Sequence, residues 1–111
     1  VLWYPAFVVP DDAGKRYEAG VKDVFGLPMG EAFDREAKDI DVYGIIPAYG
    51  GPALMIHGDQ DDVVPIGYSE RALSVYRDAR LTVMPGAGHG YDGEDSVAAR
   101  EYSIDFIRAW M

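Results

Sequence analysis

Pro52-Ala53-Leu54-Met55-Ile56-His57-Gly58-Asp59-Gln60-Asp61-Asp62-Val63-Val64-Pro65 is a short apolar run that ends in a glycine turn loaded with carboxylates. Its core, Ala53 to Ile56, has strand length and no helical stripe, so the run predicts a strand with an acidic exit loop. A second unit of the same kind follows, Leu81-Thr82-Val83-Met84 leading into Pro85-Gly86-Ala87-Gly88-His89-Gly90. Between the two, Ile66 to Arg77 predicts a helix opened by Pro65, with Tyr68, Ala72, Leu73 and Tyr76 on one face. A strand, a helix and a second parallel strand connect by a right-handed crossover, which brings both strand ends to one edge of the sheet. The expected fold class is therefore α/β, with ligands bound in the crevice beyond those ends.

Working outward, Val1-Leu2-Trp3-Tyr4 is β-branched and aromatic and stops at Pro5, which suits a buried strand extended by Phe7-Val8-Val9. Pro10-Asp11-Asp12-Ala13-Gly14 has turn chemistry, since proline fixes φ, aspartate bonds its own backbone and glycine tolerates positive φ. From Lys15 to Gly30 the glycines and Pro28 break any long helix, and Tyr17, Val21, Val24, Phe25 and Leu27 are scattered apolar anchors of an irregular excursion. Glu31 to Ile40 predicts a short helix with Phe33, Ala37 and Ile40 in line. Ser96 to Met111 predicts the longest helix, behind Glu94 and Asp95, with Tyr102, Phe106, Ile107 and Trp110 on a broad apolar face. No internal repeat or linker divides residues 1–111, which read as a single domain.

Composition narrows the function classes. Apolar residues make up 49% and charged residues 26% of the 111, a globular balance rather than a disordered one. Nineteen acids against ten Lys and Arg give a net charge of −9, which repels nucleic acid and anionic membrane surfaces. Without cysteine there is no disulfide framework, no thiolate nucleophile and no Cys-based zinc site, and a reducing cytoplasm is compatible with the chain. No apolar run approaches the ~18 to 20 residues of a membrane span. The opening Val-Leu-Trp-Tyr, without Met, leads to the expectation of a chain cut within its fold.

The two corners carry complementary chemistry. A histidine can take a proton from a hydroxyl nucleophile and return it to a leaving group if an acid holds its tautomer and stabilises the imidazolium. Asp61, four residues past His57, is the candidate acid, and His89, five past Met84, the candidate base. Their order matches the Ser, Asp/Glu, His order of α/β-hydrolases. Asp59 and Asp62 read as turn carboxylates that bond nearby backbone N–H groups, and His57 as a packed residue at a strand end. Asp59-x-Asp61-Asp62 lacks the alternate acids, glycine and distal glutamate of a calcium loop. Gly86-x-Gly88-x-Gly90 lacks the spacing and following helix of a dinucleotide site. No metal or cofactor is expected.

His57-Gly58-Asp59-Gln60-Asp61-Asp62-Val63-Val64-Pro65, Tyr68-Ser69-Glu70-Arg71-Ala72 and Gly86-Ala87-Gly88-His89-Gly90-Tyr91 together resemble the C-terminal part of α/β-hydrolase-fold serine esterases, cinnamoyl/feruloyl esterases in particular. The resemblance runs from about Asp39 onward, and Val1 to Phe7 resembles the strand that follows the family's nucleophile turn. It implies a C-terminal portion of an α/β-hydrolase fold, about three mainly parallel strands with flanking helices, and a lid-like insertion at residues 15–49 whose aromatics would line a pocket for a phenolic acyl group. It further implies that Asp61 is the triad acid and His89 the triad histidine of an enzyme that cleaves small-molecule carboxylic esters. Gly-x-Ser-x-Gly and the oxyanion loop are missing from the sequence. Gly67-Tyr68-Ser69-Glu70-Arg71 is only half a match, at a helix start and after the acid, and Ser69 is rejected as nucleophile. These 111 residues alone are expected to hydrolyse nothing, and to self-associate or meet a complementary N-terminal half along the open edge of the first strand. A prolyl-oligopeptidase-like peptidase and a non-catalytic interaction module are the other readings.

Overall fold

The computed structural model describes residues 1–21, 23–24, 27–28 and 31–110. In chain order its elements are β1 (Leu2–Trp3), α1 (Val9–Ala19), β2 (Asp23–Val24), β3 (Leu27–Pro28), α2 (Glu31–Ala37), α3 (Val42–Ile45), a 3-10 turn (Ile46–Ala48), β4 (Pro52–Gly58), α4 (Gly67–Val75), β5 (Asp78–Met84) and α5 (Gly93–Ala109). The main sheet has the order β1-β4-β5, and both pairings are parallel. Leu2 is in register with Met55, and Met55 in turn with Leu81. β2 and β3 pair antiparallel in a separate two-stranded sheet.

β4 is the central strand because both of its faces are covered. Side chains alternate across a strand, so Leu54 and Ile56 pack with Met84, Ala87 and Ala99 on the α5 side. Met55 packs with Ile46 and Ala72 on the other side, beneath the 3-10 turn and α4. Met55 and Ile56 are fully buried, and each stabilises the fold by roughly 1.5–3 kcal/mol relative to an exposed side chain. An apolar run without alternation is the expected signature of a parallel strand sandwiched in this way.

The strand, helix and strand expected from the sequence are present, with the fold class they imply. Several local expectations are corrected. Phe7-Val8-Val9 does not extend β1, and Pro10 to Gly14 is not a turn: both lead into α1. Proline in the first turn of a helix forfeits no hydrogen bond, and Asp11 and Asp12 complement the positive end of the helix there. Ala13 is fully buried, so packing completes what turn chemistry seemed to forbid. Lys15 to Ala19, expected to open an irregular excursion, belong instead to α1, which Gly20 closes in a left-handed conformation (φ 70°). The side chains of Val24, Phe25 and Leu27, expected as apolar anchors there, lie outside the described residues.

The buried faces of the last two helices also differ from expectation. On α4 Ser69 and Ala72 are buried while Leu73 faces solvent. On α5 the sheet side is Ala98, Ala99 and Phe106, whereas Tyr102, Ile107 and Trp110 are about half exposed. Small residues let the helix axis approach the sheet closely, and of the four large residues expected on this face Phe106 alone packs against the core. Ser103 joins this inner side, accepting from Trp3 Nε1 (2.9 Å) and donating to the Ala99 carbonyl (2.7 Å). Among the described residues no helix is long and apolar enough to cross a membrane.

Candidate active site

The two predicted corners face each other. Asp61 is on the loop after β4 and His89 on the loop after β5, and His89 Nδ1 lies 2.9 Å from Asp61 Oδ2. The Asp61 carboxylate has no exposed surface, while the His89 side chain is 32% exposed. The other carboxylate oxygen, Oδ1, accepts from the backbone N–H groups of Val63 (2.9 Å) and Val64 (2.8 Å). This is the local self-bonding that aspartate in a turn favours, and it aims Oδ2 at the histidine. Burial by itself would raise the pKa of Asp61. The Val64 N–H, His89 and the Val63 N–H outweigh that effect and hold the carboxyl below its usual range.

The loops are laced together. Asp59 N–H donates to the Met84 carbonyl (3.3 Å) and Gln60 N–H to the Ala87 carbonyl (3.0 Å). In the other direction, the Asp59 carboxylate accepts from Gly86 N–H at 2.7 Å, the turn role expected of it. Gly58 allows this closeness, since a Cβ there would collide with the Ala87 carbonyl. Gly86, with φ 74°, makes the turn out of β5.

The structure adds residues that sequence reasoning misses. Tyr4, at the end of β1, has a positive φ of 35°, a conformation a side chain of its size seldom adopts. Its ring packs 4.6 Å from the His89 ring and 4.9 Å from Tyr91. Tyr4 N–H and Tyr91 OH both donate to the Ile56 carbonyl at 2.8 Å, so one carbonyl at the end of β4 anchors the aromatic wall behind the histidine. Burial raises the Tyr91 phenol above its ordinary range and keeps it a donor. His57 and Ser69 are fully buried, with His57 Nδ1 2.6 Å from Ser69 Oγ.

His89 presents the chemistry of a general base. The ionised acceptor Asp61 Oδ2 favours a proton on Nδ1, which leaves Nε2 to take one from a hydroxyl. Among the described residues no serine hydroxyl is hydrogen-bonded to it. Ser69 is buried against His57, Ser74 donates to the Arg71 carbonyl, Ser103 is bonded within the α5 side of the core, and Ser96 belongs to the first turn of α5. Among the described residues no group of three or more acidic, histidine or cysteine side chains is placed to hold a metal ion.

A parallel sheet with flanking helices, carrying an acid and a histidine on the loops after adjacent strands, has the architecture of the α/β-hydrolase fold. Solved structures of that class match it. Est1E from Butyrivibrio proteoclasticus superposes with a TM-score of 0.77 at 26% identity, over 96% of this chain and 50% of Est1E. A second Est1E structure, with ferulic acid bound, gives 0.72 at 25% identity, over 96% and 48%. A meta-cleavage product hydrolase (CumD) gives 0.62 at 25% identity, over 72% of this chain and 30% of its own. No family model matches the chain. Among curated relatives, a non-heme haloperoxidase of Rhodococcus erythropolis is 50% identical over 40 residues, 35% of this chain and 15% of that protein. A non-heme chloroperoxidase, CPO-A1 of Kitasatospora aureofaciens, is 29% identical over 85 residues, 69% of this chain and 31% of that protein. The chain thus spans about half the length of Est1E and matches less than a third of either curated relative.

Proposed function

We propose that Asp61 and His89 are the acid and the base of a Ser-His-Asp triad that cleaves carboxylic esters, and that the serine and the oxyanion donors come from outside these 111 residues. The observation that carries this reading is the 2.9 Å contact from His89 Nδ1 to a fully buried Asp61 oxygen, with the imidazole partly open to solvent. In that geometry the carboxylate orients the ring and stabilises the imidazolium formed when a serine hydroxyl gives up its proton; Nε2 then protonates the leaving alcohol. The likeness to Est1E with ferulic acid bound favours feruloyl-type esters as the substrate class.

The test is a chimera in which the half of Est1E that this chain does not cover is joined to this chain, assayed on methyl ferulate and on a simple aryl acetate. Turnover by the chimera, none by the 111 residues alone, and a loss of about 10³ to 10⁴ in kcat with His89→Ala or Asp61→Asn is the expected pattern. A chimera with unchanged kcat after His89→Ala, or an active isolated chain, overturns the assignment.

A further inference from the structure

We propose that His57 is a positioning residue for Asp61, and that the Ser69 hydroxyl holds His57 in the tautomer this requires. His57 Nε2 lies 2.7 Å from the Val64 carbonyl and 3.2 Å from Asp61 Oδ2. Both are oxygens that only accept, since a carbonyl has no proton and Asp61 is held in its ionised form. Nε2 must therefore carry the ring proton, which it donates to the Val64 carbonyl, with Asp61 Oδ2 in close contact beside that bond. The opposite nitrogen, Nδ1, then presents a lone pair to Ser69 Oγ at 2.6 Å, and the hydroxyl donates to it.

Ser69, His57 and Asp61 line up as a serine, a histidine and an acid, but with the ring nitrogens exchanged relative to a triad, Ser69 on Nδ1 and Asp61 beside Nε2, and all three side chains are buried, His57 and Ser69 at 0% exposure. No substrate reaches this serine. What the buried chain supplies is constraint. Asp61 Oδ1 is fixed by two backbone N–H groups, and Oδ2 is held between two imidazoles, His57 behind and His89 in front. Without His57 that side of Oδ2 would face no polar hydrogen, which is unfavourable for a buried carboxylate even with its three hydrogen bonds in place. Through Ser69 the acid loop is also tied to α4, the helix that leads from the acid corner to the histidine strand.

The consequence for catalysis rests on Asp61 acting as the triad acid, but the arrangement is read without turnover, so the two ideas fail separately. The chain has two histidines, His57 and His89, and long-range proton-nitrogen NMR spectra of the uniformly labelled protein resolve both rings. The expected result is a single Nε2–H tautomer at His57; an Nδ1–H tautomer there overturns the proposal whatever the variants do. The second measurement follows the Asp61 carboxyl carbon through an acid titration. His57→Leu removes the N–H dipole beside Oδ2 and is expected to raise the proton affinity of Asp61 about threefold, less than a full hydrogen bond to a charged group would. His57→Gln, which keeps an N–H near the Nε2 position, is expected to leave it close to wild type. A residue that merely filled space at the strand end would leave Asp61 titrating alike in all three proteins, and that outcome refutes the positioning role. Should His57→Leu fail to fold, the wild-type tautomer and the Gln variant still decide.

Discussion

Replacing Asp61 with asparagine tests how the acid loop is held, independently of any reaction. The amide oxygen can take over the two N–H bonds from Val63 and Val64. The amide nitrogen then occupies the place of Oδ2, 2.9 Å from His89 Nδ1 and 3.2 Å from His57 Nε2. His89, partly open to water, can move its proton to the other nitrogen and accept. His57 cannot, because its Nε2 must go on donating to the Val64 carbonyl at 2.7 Å. One buried donor-to-donor conflict remains, and the His89 bond to a charged oxygen is exchanged for a weaker one to a neutral amide. Asp61→Asn should therefore cost about 2 kcal/mol at neutral pH, read by urea unfolding with Trp3 and Trp110 fluorescence as the signal. The sign of the pH dependence is fixed by the lowered pKa of Asp61. A carboxyl depressed in the folded state contributes stability above its unfolded value, about 3.9, and loses it as pH falls through the folded value. The gap between wild type and variant should thus narrow in acid below about pH 4. A variant within about 0.5 kcal/mol of wild type at neutral pH, or a gap that does not narrow in acid, would contradict this account of the loop.

Gly58→Ala drives a methyl into the Ala87 carbonyl, and since backbone rather than a flexible side chain is in the way, it should cost about 2 kcal/mol or more. Thermal unfolding should show a Tm lowered by about 10 °C, and an unchanged Tm would refute the close approach. Arg16 grips Asp34 with Nε and a terminal nitrogen, the shortest contact being 2.8 Å, and Asp34 is almost completely buried. Arg16→Ala should cost about 3 kcal/mol by stranding that carboxylate, with much of the loss recovered in the Arg16→Ala/Asp34→Asn double variant; equal stability of wild type and Arg16→Ala in denaturant melts would show that the pair is dispensable. Among the described residues β1 pairs only with β4, so its outer edge carries open backbone groups, and sedimentation velocity should show concentration-dependent association; a monomer at every concentration would refute that.

The β4-α4-β5 unit is legible in the sequence because its signals agree: apolar runs of strand length, turn chemistry at each exit, and one helix between. The meeting of Asp61 and His89 is legible for the same reason, as each lies on the loop just beyond a strand end. Local chemistry misleads where packing overrides it. Pro10 to Gly14 has every mark of a turn, yet its proline sits where a helix tolerates one, and a fully buried Ala13 decides the outcome. On α5 the large apolar residues suggest the inner face, but the sheet takes only Phe106 of them, beside Ala99 and Ser103, which permit close approach. Tyr4 and the His57 to Ser69 contact are hidden for another reason. They depend on side chains distant in sequence meeting at one sheet edge, which no local period encodes.

The lacing of the two exit loops has a mechanical consequence. With Gly58 leaving no gap, and backbone bonds running from Asp59 and Gln60 to the chain after β5 and back from Gly86, the acid and the histidine are carried on one rigid body. Neither can swing away from the other without breaking several bonds at once. Breathing of the site must then fall to its other walls, and the distance between Asp61 and His89 should stay constant through every step of opening and closing.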